Sequence, residues 1–356
     1  IMVMKELAEP RPAFVLNRGA YDAPGEPVTS ATPASLLPFP EGLPRNRLGL
    51  AAWTTDPAHP LTARVAVNRW WQALFGRGLV ATPEDFGSQG RLPSHPELLD
   101  WLALELVDEG WDVKRMLKLM VCSSTYRQSS DAPPGLSARD PDNELLARGP
   151  RERLSAEMIR DNALAASGLL VGDLGGPPVK PYQPDGLWEE KSNKPYVRDE
   201  GPGSHRRSLY TFWKRTSPPP AMLTFDAANR EVCAVRRLPT ATPPQSLVLL
   251  NDPQFVEAAR CLAERAFREG GATPRERVGF LFRVLTGRRA KPAELDVLEQ
   301  LYREQHEEFR DAPASAEALL AVGDAPRDAS LDPAEAAAMT VAAQALFSYD
   351  ETVVKH

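Results

Sequence analysis

The side chains best suited to chemistry gather in the middle of the chain. Arg153, Glu157, Arg160 and Asp161 recur at three- and four-residue steps, which puts them on adjacent turns of one helical stretch. Such a row can serve as an ion-pair lattice joining helices, or as a site for an anion. Glu157 and Asp161, with Asp226 further on, are the carboxylates available for acid–base work on a glycosidic bond, a reaction that needs two of them at a defined separation. Arg207, Tyr210, Trp213 and Arg236 follow, and guanidinium forks suit carboxylate or sulfate groups while aromatic faces suit sugar rings. His95 and His205 are the candidate general bases, although a lone histidine before Pro96 more often has a structural task. Five scattered histidines make a poor ligand set, and Cys122, Cys233 and Cys261 form no CxxC or CxxCH spacing. The expectation is therefore no metal site and no cofactor in this chain, covalent haem included.

The elements that must position these groups start with residues 60–130. Leu61, Val65, Trp70, Leu74 and Phe75 give one amphipathic helix, closed by Gly76 and Gly78, with Arg64 and Asn68 sharing its polar side. Ser94 and Glu97 read as a capping box for a second helix running through Leu98–Val107 to a stop at Gly110. Asp112 caps a third, with Val113, Met116, Leu117, Met120 and Val121 facing inward, and Tyr126 and Arg127 lie just beyond it as further binding candidates. Asp85-Phe86-Gly87 matches a kinase metal-binding triplet by chance only, since no glycine-rich loop accompanies it.

The remainder is helix and proline-bound loop. Residues 1–44 are proline-rich, with Met2–Met4 and Phe14–Leu16 as short strand candidates, and read as the tail of a preceding region. His205 to Lys214 alternates and is the best strand candidate. Capping boxes at Thr242–Gln245 and Thr273–Glu276, a start at Asp252-Pro253, a helix from Pro292 and one from Pro333 to about Phe347 complete a helical carboxy-terminal third. The expected fold is mainly α, an irregular helical domain with long Pro/Gly-rich loops and at most a small β element near 205–215. It spans 45–348 as a single domain, with sub-halves of about 45–170 and 240–348 joined by an irregular 171–239 segment. A net charge of −6 argues against nucleic acid as a partner, and no apolar run reaches the length of a membrane span. Since the first residue is Ile1, the chain reads as a piece of a longer protein, and its missing targeting segment leaves the compartment open.

Several strings in fixed order carry a resemblance: Leu61-Thr62-Ala63-Arg64-Val65-Ala66-Val67-Asn68-Arg69-Trp70-Trp71, Pro93-Ser94-His95-Pro96-Glu97-Leu98-Leu99, Ser123-Ser124-Thr125-Tyr126-Arg127-Gln128-Ser129, Arg153-Leu154-Ser155-Ala156-Glu157-Met158-Ile159-Arg160-Asp161 and Arg206-Arg207-Ser208-Leu209-Tyr210. Over about 45–348 the chain resembles the planctomycete-specific carboxy-terminal domain of unknown function that accompanies planctomycete cytochrome C domains. The resemblance implies a periplasmic or otherwise extracytoplasmic location, and a companion domain in the full-length protein as partner. It supplies no activity. The expected function is thus a non-catalytic binding or scaffold module of a larger cytochrome-associated protein that contacts anionic carbohydrate. The alternatives are a polysaccharide-degrading enzyme using Glu157, Asp161 and Asp226, and an electron-transfer partner domain.

Overall fold

A computed structural model describes residues 2–9, 11–188 and 195–355. Among these the chain is mainly helical, with two small antiparallel sheets of two strands each. By contacts it divides into two units, residues 1–128 with 133–147, and residues 129–132 with 148–356. The boundary thus falls near residue 148, and the 171–239 segment, drawn from the sequence as a joint between halves, belongs to the second unit.

The first unit opens with a hairpin of β1 (Ala13–Leu16) and β2 (Pro24–Val28), in which Ala13 faces Val28. Met2–Met4 forms no strand. Helices α1 (Arg47–Thr54), α2 (Thr62–Phe75), α3 (Pro96–Asp108), α4 (Val113–Cys122) and the short α5 (Leu136–Arg139) follow. Val67, Trp71, Phe75, Leu99, Leu102, Leu106, Met116 and Met120 bring α2, α3 and α4 around one core. Trp71 and Phe75, one turn apart, stack with centroids at 3.9 Å. Asp112 caps α4 by accepting the Arg115 amide at 3.0 Å.

Two readings from sequence change here. Ser94 does not cap α3; His95 occupies that position, and the Ser94 amide and hydroxyl both donate to Leu79 O, which fastens the preceding loop instead. Asn68, assigned to the polar side of its helix, is fully buried. Its Oδ1 accepts the Val80 amide at 2.9 Å and its Nδ2 donates to Val80 O at 3.1 Å, so one amide side chain stands in for a strand partner. Gly78 is glycine for the same reason, because a Cβ there would lie 2.7 Å from Asn68 Nδ2.

In the second unit β3 (Glu152–Arg153) pairs antiparallel with β4 (Val354–Lys355), tying the beginning of the unit to its end. Between them run α6 (Ala156–Ser167), α7 (Pro220–Thr224), α8 (Pro243–Asn251), α9 (Pro253–Glu269), α10 (Pro274–Thr286), α11 (Pro292–Asp311), α12 (Pro313–Leu320), α13 (Pro333–Phe347) and α14 (Asp350–Val353). α9 is the central rod, packed on α6, α8, α10 and α13. Ala258, Ala259, Ala263 and Ala266 of α9 and Ala337, Ala338, Ala342 and Ala343 of α13 are buried to within a few per cent. Side chains this small allow the helix axes to come close before ridges meet grooves. Phe225, Phe255, Leu262, Leu281, Phe282 and Phe347 fill the space between the outer helices.

The Thr273–Glu276 capping box forms, whereas Thr242 makes no side-chain cap. The strand expected over His205–Lys214 is not there. Gly201–His205 and Ser208–Tyr210 are 3-10 turns, and only two isolated parallel bridges, Val171 to Arg206 and Val179 to Thr211, remain of it. Among the described residues no helix is long and apolar enough to cross a membrane. Asn68→Leu leaves the buried Val80 N–H and C=O without partners and should lower the unfolding free energy by about 1–3 kcal/mol. Urea titration measures it, and an unchanged midpoint would refute the clamp.

Candidate functional site

α6 begins at Ser155, whose hydroxyl accepts the Met158 amide at 3.4 Å, and the helix carries Arg160 inward on its second turn. Arg160 is 5% exposed. Its Nε donates to Gln254 Oε1 at 2.7 Å, Nη1 to Arg206 O at 2.9 Å and Ser208 Oγ at 3.2 Å, and Nη2 to Ser204 O at 2.7 Å. Burial pulls its pKa down to about 10, with Asp161 and Asp252 opposing, so it stays charged at neutral pH. The guanidinium therefore replaces a sheet neighbour for residues 204–208, which explains why an alternating sequence folds as turns. Asp161 completes the fastening: its Oδ1 accepts the Ser208 amide at 2.7 Å, and Arg207 lies 3.9 Å away.

Neighbouring polar groups are engaged in the same manner. Arg206 donates to Pro177 O and Asp173 O at 3.0 Å each and lies over the Tyr210 ring at 4.0 Å, while the Tyr210 hydroxyl accepts the Gly175 amide at 2.8 Å. His205 Nε2 meets Glu257 Oε2 at 2.9 Å, both buried. The other Glu257 oxygen accepts the Asp324 and Ala325 amides at 2.6 Å each. Burial works to raise the Glu257 pKa, but the His205 bond and these amides outweigh it and hold it below the usual carboxylate value. Arg153 donates to Gln245 Oε1 at 2.7 Å; Gln245 in turn donates to Thr224 O at 2.9 Å. Asp226, with a left-handed φ of 60°, accepts the amide and hydroxyl of Thr240 at 2.7 and 2.8 Å. Glu157 pairs with Arg237 at 2.6 Å.

Two hollows adjoin this network and share Thr211. One is an open groove of about 590 Å³, lined by Gly176, Pro178, Leu209, Tyr210, Phe212, Trp213, Arg215 and Arg230. Arg215 and Arg230 are exposed, neither forms an ion pair among the described residues, and Arg230 lies over the Trp213 ring at 4.7 Å. The other is a narrower cavity of about 160 Å³ beneath Pro181, Tyr182, Pro219 and Pro220, with Arg160, Asp252 and Gln254 at its polar end. Asp252 also caps α9, accepting the Gln254 amide at 2.9 Å. Burial pushes its pKa up to about 6, against the Gln254 bonds and the Arg160 charge.

Residues 46–302 match the model of a family described as PSD1, protein of unknown function (DUF1553). The chain belongs to that family. Among curated proteins and solved structures nothing matches. The region matched by PSD1 holds Arg160, the 201–211 turns, the groove and the cavity, whereas the Asp324–Ala325 amides that seat Glu257 lie beyond it.

Of the residues singled out in sequence, this PSD1 chain brings Arg153, Glu157, Arg160, Asp161, Arg207, Tyr210 and Asp226 into the second unit, where each has the partners just given. Arg236 is exposed in the same unit. The other five lie in the first unit. Arg64 donates to Asp100 Oδ1 at 2.6 Å and Pro60 O at 2.5 Å, and Asn68 holds Val80. His95 Nδ1 meets Ser94 Oγ at 3.0 Å, Tyr126 sets its ring edge-on to Phe75 at 5.6 Å, and Arg127 is exposed. His95 and His205 thus belong to different units. Among the described residues no three His, Cys, Asp or Glu side chains gather as a metal site.

Sequence reasoning passed over Asp252, Gln254, Gln245, Glu257 and Arg260. One signal was present. Glu257, Arg260 and Glu264 recur at helical spacing among the apolar residues of α9, and charges inside a buried stripe need partners from elsewhere.

Arg160→Lys keeps the charge but cannot reach four acceptors with one ammonium, and should cost about 2–4 kcal/mol in urea unfolding. A loss below 1 kcal/mol, on the order of one ordinary hydrogen bond, would show that the fork is dispensable. Asp252 has a raised folded pKa, so the folded state binds the extra proton and this group's contribution falls as pH rises from about 4 through about 6. Its share of the stability lost between pH 5 and pH 7 is about 1 kcal/mol. Asp252→Asn preserves a capping oxygen and should remove that share, read as a flatter stability-against-pH curve; an unaltered slope would refute the assignment.

Proposed function

We infer that this chain is a non-catalytic binding and scaffold module of a larger, extracytoplasmic, cytochrome-associated protein, and that it contacts anionic carbohydrate through the open groove. One observation carries the reading. Arg153, Glu157, Arg160 and Asp161 are spent on holding loops to helices, while Arg215 and Arg230, exposed and without an ion pair among the described residues, stand beside Tyr210, Phe212 and Trp213 in the groove, Arg230 over the Trp213 ring. Aromatic faces accept the C–H side of sugar rings, and guanidinium forks accept carboxylate or sulfate oxygens in pairs. The extracytoplasmic setting and the companion cytochrome region follow from the family resemblance in sequence.

The enzyme alternative receives less support. Glu157, Asp161 and Asp226 each accept bonds that order the chain, and none of the three lines the groove or the cavity. A hydrolytic pair needs a shared space for substrate between its carboxylates.

A glycan array spanning uronate-bearing, sulfated and neutral polysaccharides tests the reading. Anionic glycans should bind at least about tenfold more tightly than neutral ones, and that binding should weaken as salt screens the arginines. The double variant Arg215→Ala/Arg230→Asn should bind at least about tenfold less, asparagine being chosen because residue 230 has a left-handed φ of 60°. Arg127→Ala should bind as the parent does. Binding that survives the double variant, or absence of binding to every anionic glycan, would refute the reading.

A further inference from the structure

The 160 Å³ cavity has no part in the groove reading, yet it has the makings of a site. Its wall is apolar: Tyr182, Phe225 and Phe255 contribute rings, and Pro181, Pro184, Pro219 and Pro220 contribute rigid hydrocarbon faces. Its polar end is incompletely satisfied. The Thr211 hydroxyl, in a residue 3% exposed, has no hydrogen-bond partner. Arg160 makes four bonds with its five N–H groups. Asp252 adds a carboxyl group to the same lining. Thr211 lines the cavity, and its hydroxyl is free to pair with a polar group brought there.

Size and charge narrow the class. At roughly 30 Å³ for each water of the liquid, the space equals about five waters, or one six-membered ring with its substituents. Arg160 and Asp252 carry opposite charges at the same end, so an ion of either sign meets one attraction and one repulsion while losing its hydration. An aromatic molecule with a single hydroxyl would suit the wall but leave most of the polar groups unmet. A ring with an apolar face and several hydroxyls at its edge satisfies both.

We propose that this cavity binds one neutral hexopyranose residue, its C–H face against Phe225, Phe255 and the prolines and its hydroxyls on Thr211, Asp252 and Arg160. The proposal does not rest on the groove reading, which concerns anionic chains and different arginines.

The test is titration calorimetry with saturation-transfer NMR on the whole chain, using methyl glucoside, methyl galactoside and methyl mannoside as probes. Methyl glucuronide and phenol serve as controls. At least one neutral hexoside should bind in the millimolar range. Methyl glucuronide and phenol should each bind at least about tenfold more weakly, because a site built for hydroxyls rejects ligands that lack them or that bring an unmatched charge. Thr211→Val, which keeps the side-chain shape, should weaken hexoside binding about tenfold, and Ala221→Phe, which fills the cavity, should abolish it. Arg215→Ala should leave it unchanged, which separates this site from the groove. Near-ultraviolet circular dichroism checks that each variant is folded; if Ala221→Phe is not, Thr211→Val decides. No binding by any of the three hexosides, equal binding by phenol or by the glucuronide, or hexoside binding indifferent to Thr211→Val would overturn the proposal.

Discussion

A buried guanidinium is costly unless most of its donors find acceptors, and that requirement at Arg160 orders the middle of the second unit. No single neighbouring side chain can meet it. The acceptors come from three places: Gln254 at the start of α9, the carbonyls of Ser204 and Arg206, and the Ser208 hydroxyl. The bonds therefore join α6 to two stretches of chain, the start of α9 and residues 204–208. The Ser204 and Arg206 carbonyls are free for Arg160 because the 201–211 turns meet their neighbours only at isolated bridges, and those carbonyls can stay out of a sheet because Arg160 donates to them. The irregular backbone and the buried charge stabilise one another.

The two hollows follow from this arrangement. With 204–208 held down by Arg160 and Asp161, Leu209 to Trp213 emerge beside Gly176 and Pro178 as the floor of the open groove. On the other side the same fastening leaves the narrower cavity between Gln254, Asp252 and the proline-lined loops. Asp252 takes part in both local and tertiary structure. It caps α9, which asks for a short polar side chain, and it lies in the low-polarity surroundings that push its carboxyl group up to about 6. A cap at the surface would have kept an ordinary carboxylate.

Around this the helical frame is plain. α9 and α13 meet through alanines, and the charges that α9 carries inward, Glu257, Arg260 and Glu264, are answered by the loop before α13. That loop and α13 lie outside residues 46–302, so the region matched by the PSD1 family closes its core with elements the family model does not reach. Cys261 sits in the same buried rod, and burial pushes its thiol up to about 12, which leaves it an inert core side chain at neutral pH.

Local chemistry alone determined most of the long helices and several of their ends: the apolar stripes of α4 and α9, the Asp112, Asp252 and Thr273 caps, the glycine stop at Gly76, and α13 from Pro333 to Phe347. These features depend on residues within a turn or two of each other, so periodicity and capping reveal them. The face α2 buries, by contrast, is Ala63, Val67, Trp71 and Phe75 and not the Leu61, Val65, Trp70 and Leu74 that its sequence suggests. What only the tertiary structure decided lies in groups whose partners are tens of residues away. Asn68 sits on the polar side of a helical wheel, yet Val80 takes it into the core. His205 to Lys214 alternates as a strand should, but among the described residues it pairs only through isolated bridges with Val171 and Val179, and Arg160 takes up carbonyls left between them. Ser94 and Thr242, each shortly before a proline, look like caps, but at Ser94 the Leu79 carbonyl competes for the hydroxyl. Burial and long-range hydrogen bonding, which no local pattern encodes, turned the mid-chain charges from apparent ligand groups into the fastenings of the fold.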